Sequence, residues 1–403
     1  MSTSSSTVHR GPAAAAERVL APDLARGFML LLIALANSVI YMHGFDAAVR
    51  SHPLDGTVVD RAVNLVLILL VDHRAYPMFA FLFGYGIVQM LGRQQRAGTA
   101  AAEAFRLLRR RNLWILVFGA FHGLLLFSGD ILGAYGLCGL LIGWLFIRCH
   151  DRVLVQLAGV FFAVTAAFYA LNALAATLLE YMDGAGVAEE TAGVSGLPSL
   201  GIEEPLGALL ARLWEWPVGT IGSVLMGVLT PMLLGVLAAR HRVLEEPERH
   251  GRTLWRTVVI GAPVSLLGGL PLALAGAGAF PVSLSQEMWL TTLHTLSGLG
   301  GGLAFAALFG IIGGRLRGRP GLVGTALAAT GRRSLTCYLA QSLVFVPLLA
   351  AWGLGLGGRL DSAAMAALAV GVWALTVVAS VLMERADLRG PAEALLRGRV
   401  YRD

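Results

Sequence analysis

The stretch "FGAFHGLLLFSGDILGAYGLCGLLIGW", Phe118–Trp144, is apolar almost throughout, yet it carries His122 and Asp130. Two apolar runs meet at Ser128-Gly129-Asp130, which reads as a turn between two helices that enter and leave a bilayer. A run of roughly 20 apolar residues is long enough to cross the hydrocarbon layer. The same texture recurs along the chain. Hydrophobic residues make up 56% and charged residues only 14%, against about 25% charged in soluble proteins, and mean hydropathy is +0.71.

Hydropathy marks ten spans: 24–43, 62–91, 112–127, 131–148, 153–178, 217–239, 256–276, 288–313, 333–353 and 363–383. The second is interrupted by "VDHRAYP" and divides into an interfacial half-helix, 62–71, and a true span, 75–92. The chain contains 31 basic residues, all of them arginine. With the N-terminus placed in the cytoplasm and sides alternating, 26 arginines fall on the cytoplasmic side, "RQQRAGTAAAEAFRLLRRR" among them. Arg50, Arg61, Arg212 and Arg359 fall outside, and Arg74 lies within the broken span. Positive charge gathers on the cytoplasmic side. The expected fold is therefore all-α, a polytopic integral membrane helical bundle of about ten transmembrane helices with both termini cytoplasmic.

The expected organisation follows from the spans. Residues 1–20, rich in Ser, Thr and Ala, read as a disordered cytoplasmic tail. Leu24–Met42 is too long for a signal-peptide core and lacks a cleavage site, so it reads as an uncleaved first helix. Residues 21–178 form an N-terminal transmembrane half and 217–403 a C-terminal half. Between them, 179–216 is an acidic extracytoplasmic loop, either flexible or a lid with a short amphipathic helix ending at Trp214 and Trp216. The pI of 9.6 reflects arginines at helix ends, so the expected partner is a lipid bilayer and not nucleic acid. Cys138, Cys149 and Cys337 are too scattered for a disulfide framework or zinc site. No phosphate-binding GxxxxGK[ST] loop, HExxH helix or GxSxG elbow is present, and no metal or permanently bound cofactor is expected.

Ionisable groups in spans carry the functional reading, because they usually face a cavity or a partner. His122 reads equally as a neutral imidazole tying two helices together and as a functional group. Asp130, opening the fourth span, caps that helix or lines a cavity with His122. On straight helices the two lie about 12 Å apart along the axis and need not touch. Asp72, His73 and Arg74 cluster near the outer leaflet, as a solvated turn or as an anion-recognising site, with His294 at a similar depth to His122. Asn37, Tyr338 and Gln341 are interhelical hydrogen-bonders or substrate contacts. Arg26 is an interface anchor or a phosphate ligand. Gly119/Gly123 and Gly139/Gly143 fit close helix packing.

The segments "GRRSLTCYLAQS" (331–342), "GLGLGG" (353–358) and "GPAEALLR" (390–397) resemble the bacterial YeiB-like membrane proteins, whose C-terminal half is domain of unknown function 418. "LARGF" with Asn37, "FAFLFGYG" and "GAFHGLLLFSGDILGAYGLCG" carry the resemblance through the N-terminal half. The resemblance implies the plasma membrane of a bacterium. Cys337 stands where the family usually has Asn, Arg333-Ser334 replaces a more apolar pair, and the 394–396 stretch lacks a Trp. The family in turn resembles transmembrane acyltransferases, such as lysosomal heparan N-acetyltransferases and the acyltransferase-three family. That resemblance implies acyl-CoA as a co-substrate and a small-molecule or envelope-glycan acceptor on the far side. In the acyltransferase-three family an Arg of the first helix is followed, after ten intervening residues, by a His. Here Arg26 is followed by Asn37 at that spacing, so His122 would have to supply the base. Under this reading His122 and Asp130 are catalytic, Arg74 holds an anionic group and Arg26 meets CoA. The alternative class is a proton-coupled secondary transporter with His122 and Asp130 as relay. A third option, a partner-binding membrane scaffold, explains the bundle but not the clustered ionisable groups.

Overall fold

A computed structural model describes residues 19–45, 48–183, 197–316 and 319–401. The expected tail therefore lies outside the described residues apart from Val19 and Leu20, as does the 184–196 part of the expected loop. The described chain is helical except for a two-stranded hairpin, Ala48–Val49 with His52–Pro53. In chain order the helices are α1 Leu20–Ile40, α2 Val58–Leu70, α3 Ala75–Arg96, α4 Ala101–Leu125, α5 Leu132–Phe146 and α6 Asp151–Asp183. They continue with α7 Pro198–Gly201, α8 Pro205–Ser223, α9 Leu229–Arg240, α10 Gly251–Gly276 and α11 Leu284–Leu316. The last four are α12 Gly321–Arg332, α13 Ser334–Leu349, α14 Ser362–Arg385 and α15 Pro391–Val400.

Among the described residues, seven helical segments are long and apolar enough to cross a bilayer: α1, α2–α3, α6, α8–α9, α10, α11 and α14. Helices α5 and α13 are apolar but shorter. Only the half of α4 beyond Arg111 is apolar, because its first turns carry Arg106 and Arg109–Arg111. Lipid rather than water explains the outer surface. In the most apolar window of α6 only 17% of residues are buried, and Leu171, Leu174 and Leu178 stand exposed. Exposed leucines along a whole helix are costly in water and cost nothing in hydrocarbon.

Two features differ from the hydropathy reading. Helix α8 begins at Pro205 and runs through Trp216 and Pro217 into a π-turn, Val224–Val228, before α9. Part of the expected loop is thus the outer half of a crossing. The second feature is the break between α2 and α3. A capping box of Thr57 and Asp60 starts α2, and Pro77 lacks the N–H that would carry the helix back across the break to residue 73. His73 accordingly adopts φ 55°. The break is not at the interface. Arg74 bonds Ser265, midway along α10, and His73 packs on Gly298, near the middle of α11. At 1.5 Å per residue these positions lie about 16–21 Å inside the helix ends, close to mid-bilayer depth. A Cβ on Gly298 would come within 2.4 Å of the His73 carbonyl oxygen, and one on Gly302 within 2.8 Å of the Met78 nitrogen. The "GLGGG" run of α11 therefore gives the broken segment its room.

Two of the three C-terminal segments that carry the resemblance are joined in space. Glu393 of "GPAEALLR" accepts from Leu335 N at 2.8 Å and Thr336 Oγ1 at 2.5 Å, closing the first turn of α13 that "GRRSLTC" begins. Arg333 reaches Glu384 at 2.6 Å and the Leu388 carbonyl. Cys337 is buried against Ser380, as expected of a small core residue.

Candidate functional site

The turn after α4 decides the site. The N–H groups of Leu126 and Phe127 both fold back onto the His122 carbonyl at 2.9 Å, so the chain reverses at once instead of rising another two turns. Asp130 returns beside His122, and His122 Nδ1 lies 2.8 Å from Asp130 Oδ1. The axial separation expected from straight helices is cancelled by this reversal. Asp130 Oδ2 also accepts the Gly133 N–H at 2.7 Å in the first turn of α5. The cap expected of Asp130 is present, and the direct contact with His122, which the sequence does not require, is present beside it. Gly119 allows this, since a Cβ there would stand 2.7 Å from Asp130 Oδ2 and 2.2 Å from the Gly133 nitrogen.

Helix α13 completes the cluster. Its Ser342 Oγ lies 2.8 Å from His122 Nε2. One turn earlier, the Tyr338 hydroxyl donates to Asp130 Oδ1 at 3.4 Å, with its ring 5.0 Å from the imidazole. His122, Asp130, Tyr338 and Ser342 are all buried. On one flank Phe127 stacks on Tyr41 at 5.0 Å. Trp216 fills the space left open by Gly123 and Gly133.

The Arg-rich ends of the helices meet around a cavity of about 760 Å³. Its lining carries Arg26, Arg93, Arg96, Arg111, Arg242 and Arg397, in excess over Asp23, Glu245 and Glu393, and includes Phe79, Ile115, Leu132 and Tyr338; Arg26 pairs with Asp23 and Arg242 with Glu245. The cavity therefore runs from a basic rim to the tyrosine that touches Asp130. The start of α1 and one face of α15, with Glu393, Leu396, Arg397 and Val400, both border it, which puts the two ends of the described chain at the same end of the bundle.

The remaining expected residues form a separate cluster at the α2–α3 break. Arg74 is 1% exposed, and its guanidinium is engaged from all sides. Nε donates to Ser265 Oγ at 2.9 Å and Nη2 to the Ser265 carbonyl at 2.7 Å. Nη1 donates to the carbonyls of Ile68 and Asp72 and lies 2.9 Å from His294 Nδ1. The Asp72 carboxylate faces His52 instead, at 2.9 Å, and His73 faces Arg50 at 2.8 Å. Tyr135 of α5 donates to the Tyr76 carbonyl near the break at 3.0 Å. Gln341 donates to the Leu30 carbonyl at 3.1 Å, and Asn37 is half-buried on α1, one turn from Tyr41.

The structure thus brings together His122, Asp130 and Tyr338, places Arg26 at the mouth of the cavity leading to them, and holds Arg74, Asp72 and His294 apart. Ser342 is absent from the sequence-level set. It ends the "GRRSLTCYLAQS" segment that carries the family resemblance, and its i+4 spacing from Tyr338 points to a shared face, but the hydroxyl itself gives no sign of its partner. No group of His, Cys, Asp and Glu able to hold a metal is found among the described residues.

Fold and site together define a multi-pass helical protein of membrane type with a buried polar cluster at the end of a basic cavity. Residues 238–403 match the family described as protein of unknown function DUF418. The chain is 28% identical over 408 residues to the uncharacterized protein YeiB of Escherichia coli K12, covering 94% of this chain and 96% of that protein. It is 27% identical to the uncharacterized protein YxaH of Bacillus subtilis, covering 85% and 83% respectively. A 39.9 kDa protein of Bacillus acidopullulyticus shares 35% identity over 131 residues, about a third of each chain. Residues 238–403 are thus similar to the DUF418 family, and the chain is similar to YeiB along nearly its whole length.

Proposed function

We propose that this protein is a transmembrane acyltransferase that takes an acyl group from a cytoplasmic acyl-CoA and passes it to an acceptor on the opposite side of a bacterial plasma membrane. The cavity carries this reading. Its arginine rim suits the phosphates of CoA, because guanidinium groups bind phosphate oxygens bidentately. Its volume is within the usual range of small-molecule sites. Its inner wall ends at Tyr338, beside the His122–Asp130 pair. An imidazole oriented by a carboxylate is the arrangement of a general base near neutral pH.

The first test is thermal stability of the purified protein with acyl-CoA thioesters, free CoA and an unrelated nucleotide. A ligand at a hundred times its dissociation constant stabilises by about 2.7 kcal/mol. Stabilisation by thioesters and CoA, retained in His122→Ala while acyl transfer is lost, supports the reading. Absence of any thioester response overturns it.

The break between α2 and α3 favours a second reading. Interrupted helices at mid-membrane depth commonly build the binding sites of secondary transporters, and Arg74 with His294 occupies such a place. Proton-coupled metabolite flux in vesicles, lost in His294→Ala, is the result that would favour it.

A further inference from the structure

Ser342, His122 and Asp130 form a connected line. Ser342 Oγ is 2.8 Å from Nε2 of an imidazole whose Nδ1 is 2.8 Å from a carboxylate. The groups come from three separate elements, α13, α4 and the turn before α5, and are buried together. In acyl-transfer enzymes of unrelated folds the same connectivity turns a serine into a nucleophile, and it is recognised by geometry rather than by chain order. A second carboxylate contact supports the orientation, since Gly133 N–H holds the other oxygen of Asp130. Ser342 lies one turn beyond Tyr338 on the same helix, about 6 Å along the axis, and Tyr338 is in the wall of the cavity.

We propose that Ser342 is the nucleophile and transient acyl carrier of this protein. The proposal rests on the acyltransferase reading and deepens it. In the first half-reaction Ser342 Oγ attacks the thioester carbonyl while its proton passes to His122 Nε2. The carbon–sulfur bond breaks, and the proton leaves with the CoA thiolate as a thiol. In the second, an acceptor hydroxyl or amine gives its proton to Nε2 and attacks the serine ester. The ester carbon–oxygen bond breaks, and the proton returns to Ser342 Oγ. No electrons are exchanged. The physical advantage is that a polyanionic CoA stays at the basic rim while the neutral acyl group alone travels on.

The experiment uses the full chain in detergent or nanodiscs with two probes, acetyl-CoA and a fluorophosphonate. The expected result is an acetyl ester, and separately a phosphonate adduct, on the peptide bearing Ser342. Both should vanish in Ser342→Ala and fall steeply in His122→Ala. Ser342→Ala should lower transfer by about 10³-fold or more while keeping the wild-type thermal response to CoA, which shows that it is folded. Ser342→Cys should carry the acyl group as a thioester, released by neutral hydroxylamine. Normal CoA stabilisation with no adduct on Ser342, or with transfer unchanged in Ser342→Ala, overturns the nucleophile and leaves the acyltransferase reading standing. A fluorophosphonate adduct on Ser342 without any thioester response does the reverse.

Discussion

Asp130 performs two tasks with two oxygens, and its variants should separate them. Asp130→Asn keeps a group able to accept from Gly133 N–H, so the fold should survive. The amide has no charge to favour the protonated imidazole, and acyl transfer should fall by about 10²–10⁴-fold. Asp130→Ala also strips the cap and leaves the buried His122 Nδ1 and Gly133 N–H without a partner. Each such loss costs about 1–3 kcal/mol, so this variant should melt measurably lower than Asp130→Asn. Equal melting temperatures would remove the structural half of the role. His122 and Asp130 were legible in the sequence because charge inside an apolar run is conspicuous. Ser342 closes the quoted "GRRSLTCYLAQS" segment, but its chemistry was not legible, because a hydroxyl hydrogen-bonds within its own helix readily enough to be ordinary in such a run, and only the neighbouring helix supplies its partner.

At the scale of elements, the break in α2–α3 and the closure of α13 invite tests. Gly298→Leu would drive a side chain into the His73 carbonyl, and overpacking costs typically about 1–3 kcal/mol. A lowered melting temperature is expected, and Gly298→Ala should fall between it and the wild type. Glu393→Ala leaves the Leu335 and Thr336 N–H groups without their side-chain acceptor. Loss of a cap costs about 0.5–2 kcal/mol, and because α13 carries Tyr338 and Ser342, thermal melting and acyl transfer should decline together. The hydropathy of the chain located the helices well but placed the break too near the surface. Apolar run length records how much chain is buried, whereas the depth of a break depends on which helices pack against it, here α10 and α11. In the same way, the outer half of α8 reads in the sequence only as a short amphipathic helix of a loop, because its Glu, Arg and Gly residues lower the hydropathy, whereas the helix runs on past Trp216 into the crossing.

For the whole molecule, the basic rim makes the cavity's ligand preference measurable. Reversing two rim charges, Arg93→Glu with Arg96→Glu, should weaken CoA binding strongly and reduce its salt dependence, while dephospho-CoA should lose less than CoA does. Titration at low and moderate ionic strength checks this, since exposed charge contacts are screened over about 10 Å at 0.1 M salt. An unchanged affinity would show that the rim does not hold the phosphates. The arginine distribution led to the expectation that both chain ends share one side, and the start of α1 and residues of α15 do border one cavity. The cavity was not legible, because its wall is assembled from the starts and ends of segments far apart in sequence, among them Arg26, Arg111, Arg332 and Tyr401.

The satisfied guanidinium of Arg74 has a consequence for biogenesis. During synthesis the α2–α3 segment emerges with an arginine at its centre, which insertion scales place at about 2.5–3.5 kcal/mol against entry into lipid. Beyond the nearby Ile68 and Asp72 carbonyls, the groups that satisfy it, at Ser265 and His294, belong to helices made 191–220 residues afterwards. The segment must therefore wait, in the translocon or against a chaperone, until its partners arrive. A nascent chain truncated before α10 should leave this segment accessible to aqueous thiol reagents at an introduced cysteine, and extending the chain through α11 should protect it.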